Sequence, residues 1–168
     1  GRALVRAMPN TPALHGAGAT GMYTVGCSNP QRHIVHGLFE AVGKVFEIGD
    51  EALMDAVTAV SGSGPAYFFA LTEALAEAGQ AAGLNRDTAE GLAAQTAAGA
   101  GVMLGAGDAA AAELRRRVTS PGGTTAAALE TLDDNGFARI VGKAVDAAVQ
   151  RGRDLGSAAA SDNAEGNS

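Results

Sequence analysis

Tryptophan is absent from the sequence, and aromatic residues make up only 4% of its 168 residues. A core here cannot rest on large rings. Glycine, with 24 residues, and alanine abound instead, so the interior must come from helices approaching across small side chains. Such a core is thin for one chain, which points to burial against a partner subunit. Cysteine is nearly absent: Cys27 stands alone, which excludes an internal disulfide and fits a reducing, cytoplasmic setting. Its thiol reads either as a nucleophile or as a small, half-buried apolar group, and no His or Asn pattern around it supports the first. Basic charge is scarce as well. A net charge of −6 and a pI of about 4.9 argue against nucleic-acid binding driven by phosphate contacts, which needs a basic face. No apolar run reaches the ~20 residues of a membrane-spanning helix, and no positive stretch leads into an apolar one as in a secretory signal. A soluble chain with no membrane or nucleic-acid partner and no metal site is expected.

What is present comes in two styles. Ala3-Leu4-Val5-Arg6-Ala7-Met8 is a short, mostly apolar run stopped by Pro9-Asn10-Thr11-Pro12, a strand followed by a rigid turn. Gly18 to Tyr23 reads as a second strand. Pro30 to Val42 predicts a helix with Ile34, Val35, Leu38, Phe39 and Val42 on one face and Gly43 past its end. Val45-Phe46-Glu47-Ile48 is a third strand, closed by Gly49-Asp50. Strand, strand, helix, strand is how the tail of an α/β domain looks when its beginning lies upstream.

From Glu51 the pattern becomes helical and stays so. Glu51 to Val60 predicts one short helix, and Ser61-Gly62-Ser63-Gly64-Pro65 a flexible turn with a hydroxyl cap and a proline suited to a first helical turn. Ala66 to Ala82 is apolar almost all round, with Glu73, Glu77 and Gln80 as its only polar stripe and Gly83 as its stop; burial on most sides is expected. Asn85 or Asp87 caps a further helix running to about Leu104. Its Gly91, Gly99 and Gly101 each cost roughly 1 kcal/mol against alanine, and read either as close contact with another helix or as compositional drift. Phe137, Ile140, Val141, Ala144, Val145, Ala148 and Val149 form the stripe of a last helix.

One segment combines features that suit chemistry: Val118-Thr119-Ser120-Pro121-Gly122-Gly123-Thr124-Thr125. Ser120 reads as a helix cap and Pro121 as the first helical position, which would leave the N–H groups of Gly122, Gly123 and Thr124 unpaired at the helix start. Two glycines put no Cβ in a ligand's way, and the helix dipole adds partial positive charge. The result is a small anion site suited to a carboxylate, with two threonine hydroxyls beside it. Such a turn can equally be a plain cap. The basic run Arg115-Arg116-Arg117 reads as a solvated helix face or as help in drawing in an anionic substrate.

The flanks of that loop, Leu114 through Arg117 and Ala128-Leu129-Glu130-Thr131-Leu132, resemble the signature of pyrroline-5-carboxylate reductases. Ala7-Met8-Pro9-Asn10-Thr11-Pro12 is similar to that family's Met-x-Asn-Thr-Pro loop, and Val60-Ser61-Gly62-Ser63-Gly64-Pro65-Ala66-Tyr67 to its Ser-Gly-Ser-Gly-Pro-Ala-Tyr turn. The resemblance holds in order and extends to about Leu155. It implies a mainly α chain: an all-helical dimerisation domain preceded by the last strands and helix of a truncated Rossmann-type domain. Residues 1–49 would be the remnant of the dinucleotide-binding domain, 50–157 the substrate-binding and dimerisation domain, and 158–168 a disordered tail.

The resemblance also implies a reaction, hydride transfer from NADPH or NADH to the C=N bond of 1-pyrroline-5-carboxylate, giving L-proline in the final step of proline biosynthesis. It implies that Ser120, Gly122, Gly123 and Thr124 hold the substrate carboxylate, that the Thr125 hydroxyl faces the ring nitrogen as the candidate catalytic group, and that Asn10 and Thr11 lie near the nicotinamide. It implies a homodimer or larger homo-oligomer whose active sites draw on two chains. His15, His33 and His36 read as surface or structural positions. The family's opening strand, with the Gly-x-Gly-x-x-Gly turn that follows it, is absent from this sequence, so the chain by itself is expected neither to bind NADPH usefully nor to turn over. Two other readings stand beside this one. A reductase of another cyclic imine or a 2-hydroxy acid shares the architecture, but the latter would want a lysine on the Ala66–Ala82 helix, and the only lysines are Lys44 and Lys143. A non-enzymatic helical pairing module would have no need of Gly122-Gly123 and the hydroxyls after them.

Overall fold

Alternation along a strand puts Thr20 and Met22 on one face and Gly21 on the other. In the computed structural model, which describes the backbone of residues 2–165 and the side chains of residues 2–158, that strand is β2 (Gly18–Val25), the centre of a three-stranded sheet. Thr20 and Met22 are each 1% exposed. β1 (Leu4–Met8) pairs with β2 antiparallel, Arg6 opposite Tyr23. β3 (Gly43–Glu47) pairs with it in parallel, Thr20 opposite Val45. Parallel pairing needs a crossover, and α1 (Asn29–Glu40) supplies it. The helix starts at a reciprocal cap in which the Gln31 side chain accepts from the Ser28 N–H at 2.9 Å. Two glycines set the spacing of this region. A Cβ on Gly43 would overlap the backbone of Gly18, and one on Gly21 would overlap Val57.

The single helix expected over Glu51–Val60 is three pieces: a 3-10 turn Glu51–Leu53, α2 (Met54–Val57), and a widened π turn Thr58–Gly62. The hydroxyls explain the departure. Thr58 Oγ1 donates to the Met54 carbonyl at 2.9 Å and Ser61 Oγ to the Val57 carbonyl at 2.9 Å, bonds that bend a helix. The Ser63 N–H then reaches the Thr58 carbonyl at 2.8 Å, five residues back. Met54 and Ala59 from this segment are buried.

The chain divides into two compact units, one made of the residues up to Pro65 together with those from Gly142 on, the other Ala66–Val141. α3 (Gly64–Ala81) runs into the second unit and is followed by α4 (Arg86–Ala106), α5 (Ala111–Arg117) and α6 (Thr124–Asp134). Asn85 is the cap of α4, its side chain accepting from the Thr88 N–H at 2.9 Å. α7 (Phe137–Glu165) begins in the second unit and ends in the first, where a Cβ on Gly152 would lie 3.0 Å from an Asp55 carboxylate oxygen. Its backbone stays helical through 165, in the stretch where the sequence suggests an irregular tail, and residues 166–168 of that tail lie outside the described residues. Among the described residues no helix is long and apolar enough to cross a membrane.

Two expectations about the helices are corrected. α3 is not buried on most sides: Phe68 and Phe69 are 63% and 67% exposed. Its contact with α4 lies at the corner joining them, where Gly79 meets Ala89 and Leu84, and the buried residues nearby are the small Ala76, Ala89 and Ala93. Gly91, Gly99 and Gly101 have nothing within 4 Å that a Cβ would meet, so no close helix contact forms at them within the chain. Gly21→Ala should therefore destabilise the chain by about 1–3 kcal/mol through overpacking against Val57. Gly37→Ala, on an open face of α1, should stabilise it by roughly 0.5–1 kcal/mol; urea denaturation of the two variants checks both signs.

Candidate active site

Proline at the second position of a turn and glycine at the third favour a type II turn. Ser120-Pro121-Gly122-Gly123 adopts that arrangement: the Gly123 N–H donates to the Ser120 carbonyl at 3.0 Å, and Gly122 has φ +67°. The turn delays the helix. α6 starts at Thr124 with Gly123 as an extended N-cap (φ −83°, ψ 174°) and no side-chain cap bond, so Ser120 is not the cap. The first bond inside the helix runs from the Ala127 N–H to the Gly123 carbonyl at 3.2 Å. By helix geometry the amides open at the tip are those of Thr124, Thr125 and Ala126, in place of the expected Gly122, Gly123 and Thr124. Ser120 still shapes the turn, because its hydroxyl lies over Gly123 where a Cβ would overlap it. Nothing lies within 4 Å of where a Cβ on Gly122 would stand. Ser120, Gly122 and Thr124 are exposed, and Gly123 and Thr125 half-buried.

Two arginines of the basic run before the turn share one carboxylate. Arg116 grips Glu113 through Nε and a terminal nitrogen, both at 2.8 Å, and Arg117 Nε reaches the same carboxylate at 2.9 Å. This fork is the strong geometry for a guanidinium and a carboxylate. The Arg115 carbonyl accepts from the Thr119 hydroxyl at 2.6 Å, closing the end of α5. Arg116 first, and Arg117 second, hold the Glu113 carboxyl below its ordinary pKa, while Glu113 raises that of Arg116.

Asn10 and Thr11 belong to the first unit and Ser120–Thr125 to the second. Asn10 precedes a 3-10 turn, Thr11–His15, and its carboxamide is occupied at both ends. Nδ2 donates to the Ser61 carbonyl at 3.0 Å, and Oδ1 accepts from the Ala19 N–H at 2.8 Å. Thr11 is exposed. The fold thus already uses one N–H and one lone pair of the Asn10 carboxamide. Cys27 is half-buried, with its sulfur 3.4 Å and 3.6 Å from the Leu4 and Val25 carbonyls. His36 pairs with Glu40 at 3.2 Å and shares a shallow surface groove with Asn29, Arg32, His33 and Glu47. Sequence reading missed the Asn10–Ser61 bond. Its signal was Pro65, four residues after Ser61, which has no N–H to give the Ser61 carbonyl a helical partner.

A depressed carboxyl pKa in the folded chain means that the Glu113 contribution to stability is present above the unfolded pKa and is lost as pH falls through the folded one. A carbon-13 NMR titration of Glu113 should therefore give a midpoint below that of an ordinary glutamate. Arg116→Ala should move it up further than Arg117→Ala does.

The family model described as pyrroline-5-carboxylate reductase dimerisation matches residues 51–155. A pyrroline-5-carboxylate reductase of Pseudomonas aeruginosa is 51% identical over 155 residues, covering 92% of this chain and 57% of that protein. One from Mycobacterium tuberculosis is 49% identical over 173 residues, covering 92% of this chain and 58% of its own length. Among solved structures, a pyrroline-5-carboxylate reductase from Coxiella burnetii superposes with a TM-score of 0.88 at 41% identity, over 91% of this chain and 57% of the other. The Plasmodium falciparum pyrroline carboxylate reductase with NADP bound gives 0.79 at 35% identity, over 92% of this chain and 62% of the other. The chain thus spans less than two thirds of the length of these relatives. With more than half of its residues matched by the family model and about half of the aligned positions identical to named members, the chain belongs to the pyrroline-5-carboxylate reductase family.

Proposed function

We propose that this chain provides the substrate-binding and subunit-pairing part, residues 50–157, of a cytoplasmic reductase that converts 1-pyrroline-5-carboxylate to L-proline. The observation that carries the reading is the tip of α6, where the Pro121-Gly122 turn leaves the Thr124, Thr125 and Ala126 amides open beside two hydroxyls. A small carboxylate fits there: three convergent N–H donors and the helix dipole stabilise one negative charge. A nicotinamide dinucleotide, NADPH or NADH, supplies the hydride when bound. The chain's own task is to hold the ring so that its C=N carbon is presented. Hydride attacks an iminium more readily than a neutral imine, so the ring nitrogen is protonated at the transition state. On this reading the Thr125 hydroxyl accepts a hydrogen bond from that N–H or relays its proton. Positioning of this kind and aimed dipoles supply most of the acceleration.

Pairing follows from what one chain leaves uncovered. Phe68, Phe69, Leu92 and Val102 are 63%, 67%, 56% and 73% exposed, and each such side chain gains roughly 1.5–3 kcal/mol on full burial. A second copy of the chain is the partner assigned to that surface. Val102→Asp should lower the association constant at least tenfold, about 1.4 kcal/mol, in sedimentation equilibrium. The test of the site is thermal stability with added L-proline. At about a hundred times its Kd, proline should stabilise the chain by about 2.7 kcal/mol. Thr125→Ala should weaken that effect, and Gly123→Val, which drives a side chain into Ser120, should abolish it. Stabilisation that survives both substitutions would sink the reading.

A further inference from the structure

We propose that Asn10 is a positioning residue that acts on the reaction through the Ser61 carbonyl, and not a contact to the dinucleotide. The proposal rests on the reductase reading above. Four observations carry it. The carboxamide is part-buried and makes two bonds, to the Ser61 carbonyl at 3.0 Å and from the Ala19 N–H at 2.8 Å. Those partners lie 51 and 9 residues away along the chain, so one side chain ties together the end of β1, the start of β2 and the π turn. The Ser61 carbonyl needs an outside donor because the residue four positions on, which would bond it in a regular helix, is Pro65. The neighbouring contact is equally tight: a Cβ on Gly62 would come within 2.7 Å of the Met8 methyl.

With Nδ2 and Oδ1 both committed, the carboxamide has its second N–H and the spare acceptor capacity of Oδ1 left over. A bond to another molecule would have to fit beside the two already made. What the side chain does control is the place of the π turn, and with it the Gly64-Pro65 step at which α3 begins. π turns inside helices frequently occur at functional sites, and here a residue from the Met-Pro-Asn-Thr-Pro loop adds a bond to those the turn makes within its own segment.

Kinetics and hydrogen exchange together decide the matter. In the full-length enzyme, Asn10→Asp keeps the oxygen that faces Ala19 but loses the donor to Ser61. Its kcat should fall at least tenfold while the KM for the dinucleotide stays within twofold. Pro65→Ala restores a backbone N–H four residues after Ser61, so the double variant Asn10→Ala/Pro65→Ala should recover at least a third of the logarithmic loss in kcat seen in Asn10→Ala. Residues that act through one bond show such coupling, and independent residues do not. In the 168-residue chain, Asn10→Ala should speed amide exchange at Ala19 at least tenfold. A dinucleotide KM raised tenfold, no recovery in the double variant, or unchanged exchange at Ala19 each overturns the proposal. The exchange measurement needs no turnover. A parent enzyme that reduces no imine therefore refutes the reductase reading, while the Asn10 bond is still decided by exchange.

Discussion

A proline withholds or redirects a backbone donor at each of the two places on which the candidate chemistry is built. Pro65 has no N–H for the Ser61 carbonyl, and the fold answers with the Asn10 side chain. Pro121 together with Gly122 sets a type II turn, which takes the Gly123 N–H and moves the start of α6 to Thr124. In both cases the chain departs from a regular helix because one amide is missing or occupied, and a proposed site feature sits at the departure. A buried carbonyl without a donor costs on the order of 1–3 kcal/mol, so the Asn10 bond belongs to the basic satisfaction of the fold. The open amides of α6 are the opposite case: they stand at the surface, where water or a ligand can satisfy them.

The scarcity of large buried side chains has a consequence of similar weight. In the second unit the buried apolar residues among those described are Ala76, Ala89 and Ala93. Three alanines do not make a core that holds helices of 18 and 21 residues in place. The exposed apolar residues along those helices are a surface larger than a monomer normally leaves in water. A second copy covers such a surface economically, since a two-fold axis lets one patch serve both chains. On that reading the open glycines of α4 are sites for close approach between subunits, which is why nothing within the chain occupies them.

The strands, the helix between them and the long helices were legible from short apolar runs, the turn residues that end them and helical stripes such as that of α7. Asn85, one of two candidate caps, was readable as well. Three things were not. The break of the Glu51–Gly62 segment depends on hydroxyls bonding back into the helix, and Ser and Thr give the same sequence signal whether they face solvent or carbonyl. The exposure of α3 could not be read because an apolar helix looks the same whether its own chain or another covers it. At the candidate site the ingredients were visible in Ser120–Thr125, but Ser-Pro was taken as cap and first turn when Pro-Gly had the stronger preference as a turn. The set of open amides moved two residues along as a result, and Thr125 gained a backbone role beside its hydroxyl.

The charge around that tip bears on which anions it suits. Three arginines precede the turn, and a phosphate site would be expected to use them. Two are instead held by Glu113 in short, paired bonds. A carboxylate that binds two guanidinium groups lowers the positive potential they offer to anything else nearby. At the tip itself, the backbone amides and the dipole of an eleven-residue helix supply about half a charge. Half a charge matches a monoanion such as an amino-acid carboxylate and undershoots a doubly charged phosphate. The pairing of Glu113 with Arg116 and Arg117 fixes two of the three guanidinium groups, so on the proposed reading it is the α6 amides that hold the small acid.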